Sequence, residues 1–330
     1  MKYLYVLSSN ESDTYLEQAL LSIVSLRIVN PNSFITLLMD NSTKISLTGK
    51  REKILSLINE HVSVDIEEKY NKKAVSRWLK TSMRKYITGD FLYIDTDTII
   101  ADDISALDNF NINLGAVLNE HTHLSSLKNY NPNNLNKMQE LDKKLGFSST
   151  INSDTYFNSG ILLCRDCTLT HNFFNEWHRQ WQICFNKNSI TDQQSFNQTN
   201  YIQRNIITEL EGIWNCQILA DGGINYFHNA KIIHYFAGMS GENPYIPASQ
   251  KIIAEIKETG IINSKIMEMV KNPKCLFVPN ARLRVVSKFE RSATHKAAKL
   301  FFNTKFGACI DLILTILYKK IIKPLRKRTI

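Results

Sequence analysis

No stretch of this 330-residue chain approaches the roughly 20 consecutive apolar residues that a helix needs to cross a bilayer. The N-terminus lacks the charged segment, long apolar run and small-residue cleavage site of a secretory signal, so the sequence predicts a cytoplasmic protein. Cysteines number six (164, 167, 184, 216, 275 and 309) and stand mostly apart, which excludes a disulfide framework. Cys164 and Cys167 form a lone C-x-x-C with no second pair, so zinc is not expected, and Cys164 reads as the end of a buried strand. There is no internal repeat, and no low-complexity run beyond an asparagine bias. Acids are almost missing from one region: Ala281–Ile330 holds 13 Lys/Arg against Glu290 and Asp311 alone. That segment carries +11 of an overall +9, leaving the rest at −2. The basicity is a C-terminal appendage, which argues against a globally basic nucleic-acid binder.

What is present centres on Phe91-Leu92-Tyr93-Ile94-Asp95-Thr96-Asp97-Thr98. Four unbroken apolar residues read as a strand buried on both faces, as in a mostly parallel sheet. In such sheets ligands bind past the carboxyl ends of strands, where Asp95 and Asp97 fall. Positions i and i+2 of an extended chain point the same way, so two carboxylates converge. A divalent cation, Mg²⁺ or Mn²⁺, is the natural occupant, and such ions usually also hold phosphates.

The flanking chain alternates strands and helices, which predicts a doubly wound α/β sheet. Strands are expected at 3–7, 34–39, 61–66, 91–94, 114–118, 157–163, 206–210 and 231–234. Helices are expected after Thr14 and Glu17 (a capping-box spacing), at 50–60, at 72–87, near 135–145, at 173–185, and after Thr191 as cap. The Asn-rich stretch 129–136 with Pro132 reads as a loop, and Trp177, Trp181 and Phe185 read as a core stripe. His121 and His123 read as a solvated loop rather than ligands. Polar groups gather at strand ends: Ser8 to Asn10, Asp95 and Asp97, Asn158 and Ser159, Asp192 and Gln193, and His234. On one sheet edge these groups could line a single cleft.

In order, these motifs resemble glycosyltransferase family 8, of the GT-A (Rossmann-like) fold, from about Lys2 to Gly238. Tyr3-Leu4-Tyr5-Val6-Leu7-Ser8-Ser9-Asn10 is similar to the family's first strand and uridine loop. Tyr93-Ile94-Asp95-Thr96-Asp97 is similar to its Asp-x-Asp signature, Phe157-Asn158-Ser159-Gly160 to its donor-sugar corner, Asp192-Gln193-Gln194-Ser195-Phe196-Asn197 to a helix start, and Ile232-Ile233-His234-Tyr235 to its last strand. The resemblance implies a retaining hexosyltransferase that moves galactose or glucose from a UDP-sugar to a cell-surface glycan or lipid-linked acceptor, as in bacterial lipopolysaccharide or capsule synthesis. It implies Asp95, Asp97 and His234 as metal ligands, with Mn²⁺ favoured over Mg²⁺. Leu7, Ser8, Asn10, Tyr15, Lys80, Tyr93, Thr96, Ser159 and Gly238 would contact the UDP-sugar, and Asn158, Asp192 and Gln193 would serve catalysis.

The family's lysine after its last-strand histidine, which grips the diphosphate, is missing from Phe236-Ala237-Gly238-Met239-Ser240-Gly241-Glu242. The metal, Lys80 or Arg84, or backbone amides near Gly238 and Gly241 are its expected replacements. The expected domains are a GT-A unit, 1–275, and a basic amphipathic helical tail, 276–330. In the tail, residues 288–330 would meet an anionic membrane surface, attaching the protein to the inner face of the cell membrane. Two other readings remain: a haloacid-dehalogenase-type phosphatase using Asp95 and Asp97, or a non-enzymatic basic membrane- or nucleic-acid-binding protein.

Overall fold

The computed structural model of the chain describes residues 1–218, 222–236, 247–275, 292–318 and 320. It divides into two compact units, Met1–Pro279 and Asn280–Ile330.

In the first unit, β1 (Lys2–Leu7) pairs in parallel with β2 (Phe34–Asp40) on one side and β4 (Phe91–Ile94) on the other. β3 (Glu60–Val64) extends the sheet beyond β2, again in parallel. β7 (Phe157–Cys164) is the one reversed strand, antiparallel to both β4 and β6 (Leu114–Leu118). Short β8 (Thr208–Glu209) completes the order β3-β2-β1-β4-β7-β6-β8. The expected α/β architecture with a mostly parallel central sheet is therefore present. A second sheet, β5 (Thr98–Ile100), β10 (Ile232–His234) and β9 (Cys216–Gln217), is ordered β5-β10-β9.

Strand alternation builds two cores, one on each face of the large sheet. Tyr3, Tyr5, Leu7, Leu37, Met39, Leu92 and Ile94 pack with Leu16, Ala19, Ile23 and Leu26 of helix α1 (Tyr15–Val29). Leu4, Val6, Leu38, Phe91 and Tyr93 face the other way. They meet Val75 and Leu79 of α2 (Lys72–Ser82) and the aromatic side of α4 (Thr168–Asn186). Trp177 and Trp181 are fully buried, so the aromatic stripe belongs to the core.

Several local expectations are corrected. Thr14 occupies the N-cap of α1 without a side-chain hydrogen bond, and Glu17 turns into the interior, where burial pushes its carboxyl pKa up. No capping box forms at the start of α1. The 50–60 segment winds as a 3₁₀ helix, Gly49–Leu57, with Arg51 tied to the Asn10 carbonyl and Ser9 Oγ. Those tertiary contacts override a weak helical period. The helix expected near 135–145 is present as α3 (Pro132–Leu145), but it begins at Pro132, inside the stretch that reads as a loop; proline is compatible with a first helical position because its missing N–H has no partner there. Helix α5 (Gln193–Ile202) is entered from Asp192, while Thr191 bonds the Gln194 side chain instead of capping.

Beyond the sheets, α6 (Gln250–Thr259) and α7 (Ser264–Lys271) bury Ile252, Ile253, Ile256, Ile266 and Met269 in a third cluster with Ile99 and Ile233. The second unit contains α8 (Ala293–Phe302) and α9 (Lys305–Leu317), bent 102° apart. Among the described residues no single helix is long and apolar enough to cross a membrane.

Candidate active site

β4 ends at Ile94, and the Asp95 N–H donates to the Gly160 carbonyl of β7 at 2.8 Å. The chain then passes from the large sheet to the small one, because Thr98 already belongs to β5. Asp95 to Asp97 is that passage. β10 pairs with β5 in a register that sets His234 opposite Thr98, and the Tyr235 N–H donates to the Asp97 carbonyl at 3.0 Å. Register alone thus carries the imidazole to the carboxylates: His234 Nε2 lies 3.1 Å from Asp97 Oδ1. One ligand atom each from Asp95, Asp97 and His234 lie within 4.8 Å of one another, the one such group among the described residues.

Gly160 makes this approach possible. A Cβ there would stand 2.5 Å from His234 Cε1 and 2.9 Å from Asp95 Oδ2, both inside contact distance. Any larger residue would push the corner away from the ligands.

Behind the cluster, Lys80 is 4% exposed, and its ammonium sits 3.3 Å from both Asp95 oxygens and 3.0 Å from Asp192 Oδ2. Tyr93 donates its hydroxyl to Asp95, and burial followed by the Asp95 charge pushes the phenol pKa well up. Asp192 also receives Arg77 Nε at 2.9 Å and Ser159 Oγ at 2.9 Å, while the Trp177 indole donates to its backbone carbonyl. Burial pushes the Asp192 carboxyl up, but the Lys80 and Arg77 charges and the Ser159 hydroxyl outweigh it and hold it well below the usual carboxylate range. Arg77 is in turn held more firmly protonated, first by Asp192.

Of these groups, Arg77, Tyr93, Asp95, Asp97 and Asp192 border a cleft of ≈ 680 Å³, also walled by Leu7, Ser8, Tyr15, Gln18, Lys72, Lys73, Ser76 and the 188–191 loop. Ser8 Oγ is buried and has no hydrogen-bond partner among the described residues.

Residues 6–240, more than two thirds of the chain, match the family model described as Glycosyl transferase family 8. The chain belongs to glycosyltransferase family 8. Among solved structures it is similar to apo mouse xyloside xylosyltransferase 1, at 14% identity over 72% of this chain and 98% of that one, TM-score 0.46. It is also similar to galactosyltransferase LgtC in complex with donor and acceptor sugar analogs, at 13% over 85% and 98%, TM-score 0.46. A third is the glycosyltransferase GlyE of Streptococcus pneumoniae, at 15% over 85% and 66%, TM-score 0.45. No curated protein sequence matches this glycosyltransferase.

The structure brings Leu7, Ser8, Tyr15, Tyr93, Asp95, Thr96, Asp97 and Asp192 onto one cleft. Asn10 is not on its wall: its Oδ1 accepts from the Ser12 N–H and hydroxyl, closing the loop on itself. Asn158 and Gln193 join a chain of amides, with Asn158 Nδ2 3.4 Å from Gln193 Oε1 and Gln193 Nε2 3.0 Å from Asn119 Oδ1. Gly238 and Gly241 lie outside the described residues.

Lys80 is not the cleft's exposed cation; it is a buried brace between two carboxylates. Arg77, 42% exposed and one helical turn earlier, faces the cleft and was missed by sequence reasoning. The i, i+3 spacing of the two places them on one helix side, and only packing decides which is buried. Arg84 is ruled out as a diphosphate contact. It is fully buried, bonds the Ile87 and Gly89 carbonyls, and lies over the Phe91 ring at the opposite end of β4. His121 and His123 do not converge on an ion site: His121 Nε2 accepts the Gln217 N–H, and burial pushes its pKa down to about 4. His123 stands beside Asp154 and Glu209 instead. Asn215, within a 3₁₀ turn before β9, also belongs to the site and carries no sequence motif.

Proposed function

We propose that this glycosyltransferase is a divalent-metal-dependent, retaining hexosyltransferase. It moves galactose or glucose from a UDP-sugar to a cell-surface glycan or lipid-linked acceptor. The observation that carries this reading is the convergence of Asp95, Asp97 and His234, with the two carboxylates on the wall of a cleft large enough for a nucleotide sugar. Two carboxylates and one imidazole suit Mn²⁺ or Mg²⁺, and the nitrogen leans towards Mn²⁺. When bound, such an ion supplies Lewis-acid stabilisation of the charge on a departing diphosphate.

The chain's own residues account for the rest. Ser8 offers a buried hydroxyl still in want of a partner, as a nucleotide-binding wall requires. Arg77 brings a fixed positive charge to the cleft in place of the missing lysine after His234, and so favours the anionic diphosphate. Asp192, held ionised and oriented by Ser159 and Lys80, is suited to accept sugar hydroxyl hydrogens. Its charge also favours the positive character that develops at the anomeric carbon. Retention then follows from attack on the face the diphosphate leaves, with that phosphate taking the acceptor's proton.

The second unit supports attachment to the inner face of the cell membrane. Phe301, Phe306, Leu312, Ile313, Ile316 and Leu317 are exposed on α8 and α9. Six basic residues follow: Lys319, Lys320, Lys323, Arg326, Lys327 and Arg328, of which only Lys320 lies within the described residues. At about 1 kcal/mol per basic residue near an anionic surface, they contribute at most roughly 6 kcal/mol before ordering costs.

The deciding experiment is a hydrolysis screen of nucleotide sugars with Mn²⁺ and with excess chelator. Metal-dependent turnover of UDP-galactose or UDP-glucose supports the reading. Turnover of no UDP-sugar, or turnover unchanged in chelator, overturns it.

A further inference from the structure

We infer that Asn215 is a positioning residue that holds the His234 Nδ1–H and so keeps Nε2 as the nitrogen turned towards Asp95 and Asp97. The inference rests on reading those three residues as a metal site, and it goes beyond that reading by assigning the proton on the imidazole.

The argument starts from a group whose polarity is not in question. The Gly160 backbone N–H can only donate, and it points at Asn158 Oδ1 from 2.9 Å. That contact fixes which end of the Asn158 amide is oxygen. The Asn215 atom 2.9 Å from the same oxygen must then be a donor, so it is Nδ2. The other end of the Asn215 amide is therefore the carbonyl, and it lies 2.9 Å from His234 Nδ1. An amide oxygen can only accept, so Nδ1 carries the hydrogen. Nε2, 3.1 Å from Asp97 Oδ1, is then the nitrogen turned towards the carboxylates, the one a cation bound between them would meet.

Each link is sequestered from competing water. Asn215 is fully buried, His234 is 2% exposed and Asn158 is 4% exposed. Both polar atoms of the Asn215 side chain are spent in this chain and make no other hydrogen bond among the described residues. The backbone holds the spacing, because β9 begins at the next residue and pairs with β10 so that Gln217 stands opposite His234. A ligating histidine generally needs its second nitrogen held by such an acceptor, which sets ring orientation and basicity together. Here the acceptor is itself oriented by a peptide N–H two side chains away.

The test is ¹⁵N NMR of the full chain, metal-free, with labelled histidine, alongside Mn²⁺ binding followed by electron paramagnetic resonance. The wild type is expected to show His234 protonated at Nδ1, whether or not a second hydrogen sits on Nε2 beside Asp97. Asn215→Leu removes the acceptor; a mixture of tautomers and roughly 10–100-fold weaker Mn²⁺ binding are expected. Asn158→Asp keeps an oxygen for both Gly160 and Asn215, so the His234 tautomer should be unchanged. A wild-type His234 carrying its hydrogen on Nε2 alone overturns the inference. So does a folded Asn215→Leu variant with wild-type tautomer and affinity. Should that variant not fold, the wild-type spectrum and the Asn158→Asp spectrum decide. Wild-type protein that shows the Nδ1–H tautomer yet binds no Mn²⁺ counts against the metal reading and leaves the relay standing.

Discussion

Lys80 Nζ sits 3.0 Å from Asp192 Oδ2, and the same ammonium is 3.3 Å from Asp95. One buried cation therefore ties the end of β4 to the start of α5, two segments that the order of the chain separates widely. Buried charges are tolerated only when paired and hydrogen-bonded, and here each supports the other. The brace holds the Asp192 carboxylate at a fixed distance from the group formed by Asp95, Asp97 and His234.

Acid stability should report this brace. The folded-state pKa of Asp192 lies below its unfolded value of about 3.9. A depressed carboxylate contributes stability that is fully present above the unfolded pKa and is lost as pH falls through the folded one. Asp192→Asn should therefore flatten the loss of urea stability below about pH 4. At pH 7 it should cost about 3–5 kcal/mol, because Lys80 and Arg77 lose a buried partner. Parallel wild-type and variant curves below pH 4 would show that Asp192 is not the group held ionised.

Removing a ligand should separate chemistry from folding. Asp97→Asn keeps the shape of the side chain but loses the charge beside His234. Transfer should fall by about 100-fold or more, on the scale of losing electrostatic stabilisation of a leaving group. The thermal midpoint without metal should stay near that of the wild type. Wild-type enzyme in excess chelator should be equally inactive and recover with Mn²⁺. Undiminished activity of Asp97→Asn would remove it from the ligand set.

Much of this was legible in the sequence because it is local. An unbroken apolar run predicts a strand buried on both faces, and Phe91–Ile94 is one. The strand-end motifs keep their order, so Asp95, Asp97, Asp192 and Ser8 could be assigned to one cleft before their distances were known. What could not be read depends on packing. Arg77 and Lys80 share a helix side, and the burial of one against Tyr93 and Asp192 decides their roles. Asn215 acquires its partner only when β9 registers against β10, and no pattern near it announces that.

Gly160 offers a steric test of the same geometry. Gly160→Ala places a Cβ 2.5 Å from His234 Cε1, 2.8 Å from Asn158 Oδ1 and 2.9 Å from Asp95 Oδ2. Overpacking a tight interior of this kind costs typically about 1–3 kcal/mol. The displaced groups are two of the proposed ligands, His234 and Asp95, and Asn158, which holds Asn215 in place, so Mn²⁺ affinity should fall by more than the stability loss implies. Calorimetric titration of the variant checks this. An affinity equal to wild type would mean that the corner can yield without moving His234.

The C-terminal helices make the last prediction. α9 leaves Leu312, Ile313, Leu314, Ile316 and Leu317 between 42% and 62% exposed, more apolar surface than a short soluble helix usually leaves in water. The flanking cations would add attraction to anionic lipid, screened over about 10 Å at 0.1 M salt. Full-length protein should co-sediment with phosphatidylglycerol-containing vesicles, and raising salt from 0.1 M towards 1 M should weaken but not abolish binding, since apolar insertion is insensitive to screening. Truncation after Lys288 removes both contributions and should leave the protein in the supernatant, while nucleotide-sugar hydrolysis in solution persists because the cleft residues all precede it. Equal sedimentation of truncated and full-length protein would move the membrane contact to the first unit. Release of the full chain by salt alone would show that the exposed apolar face of α9 does not insert.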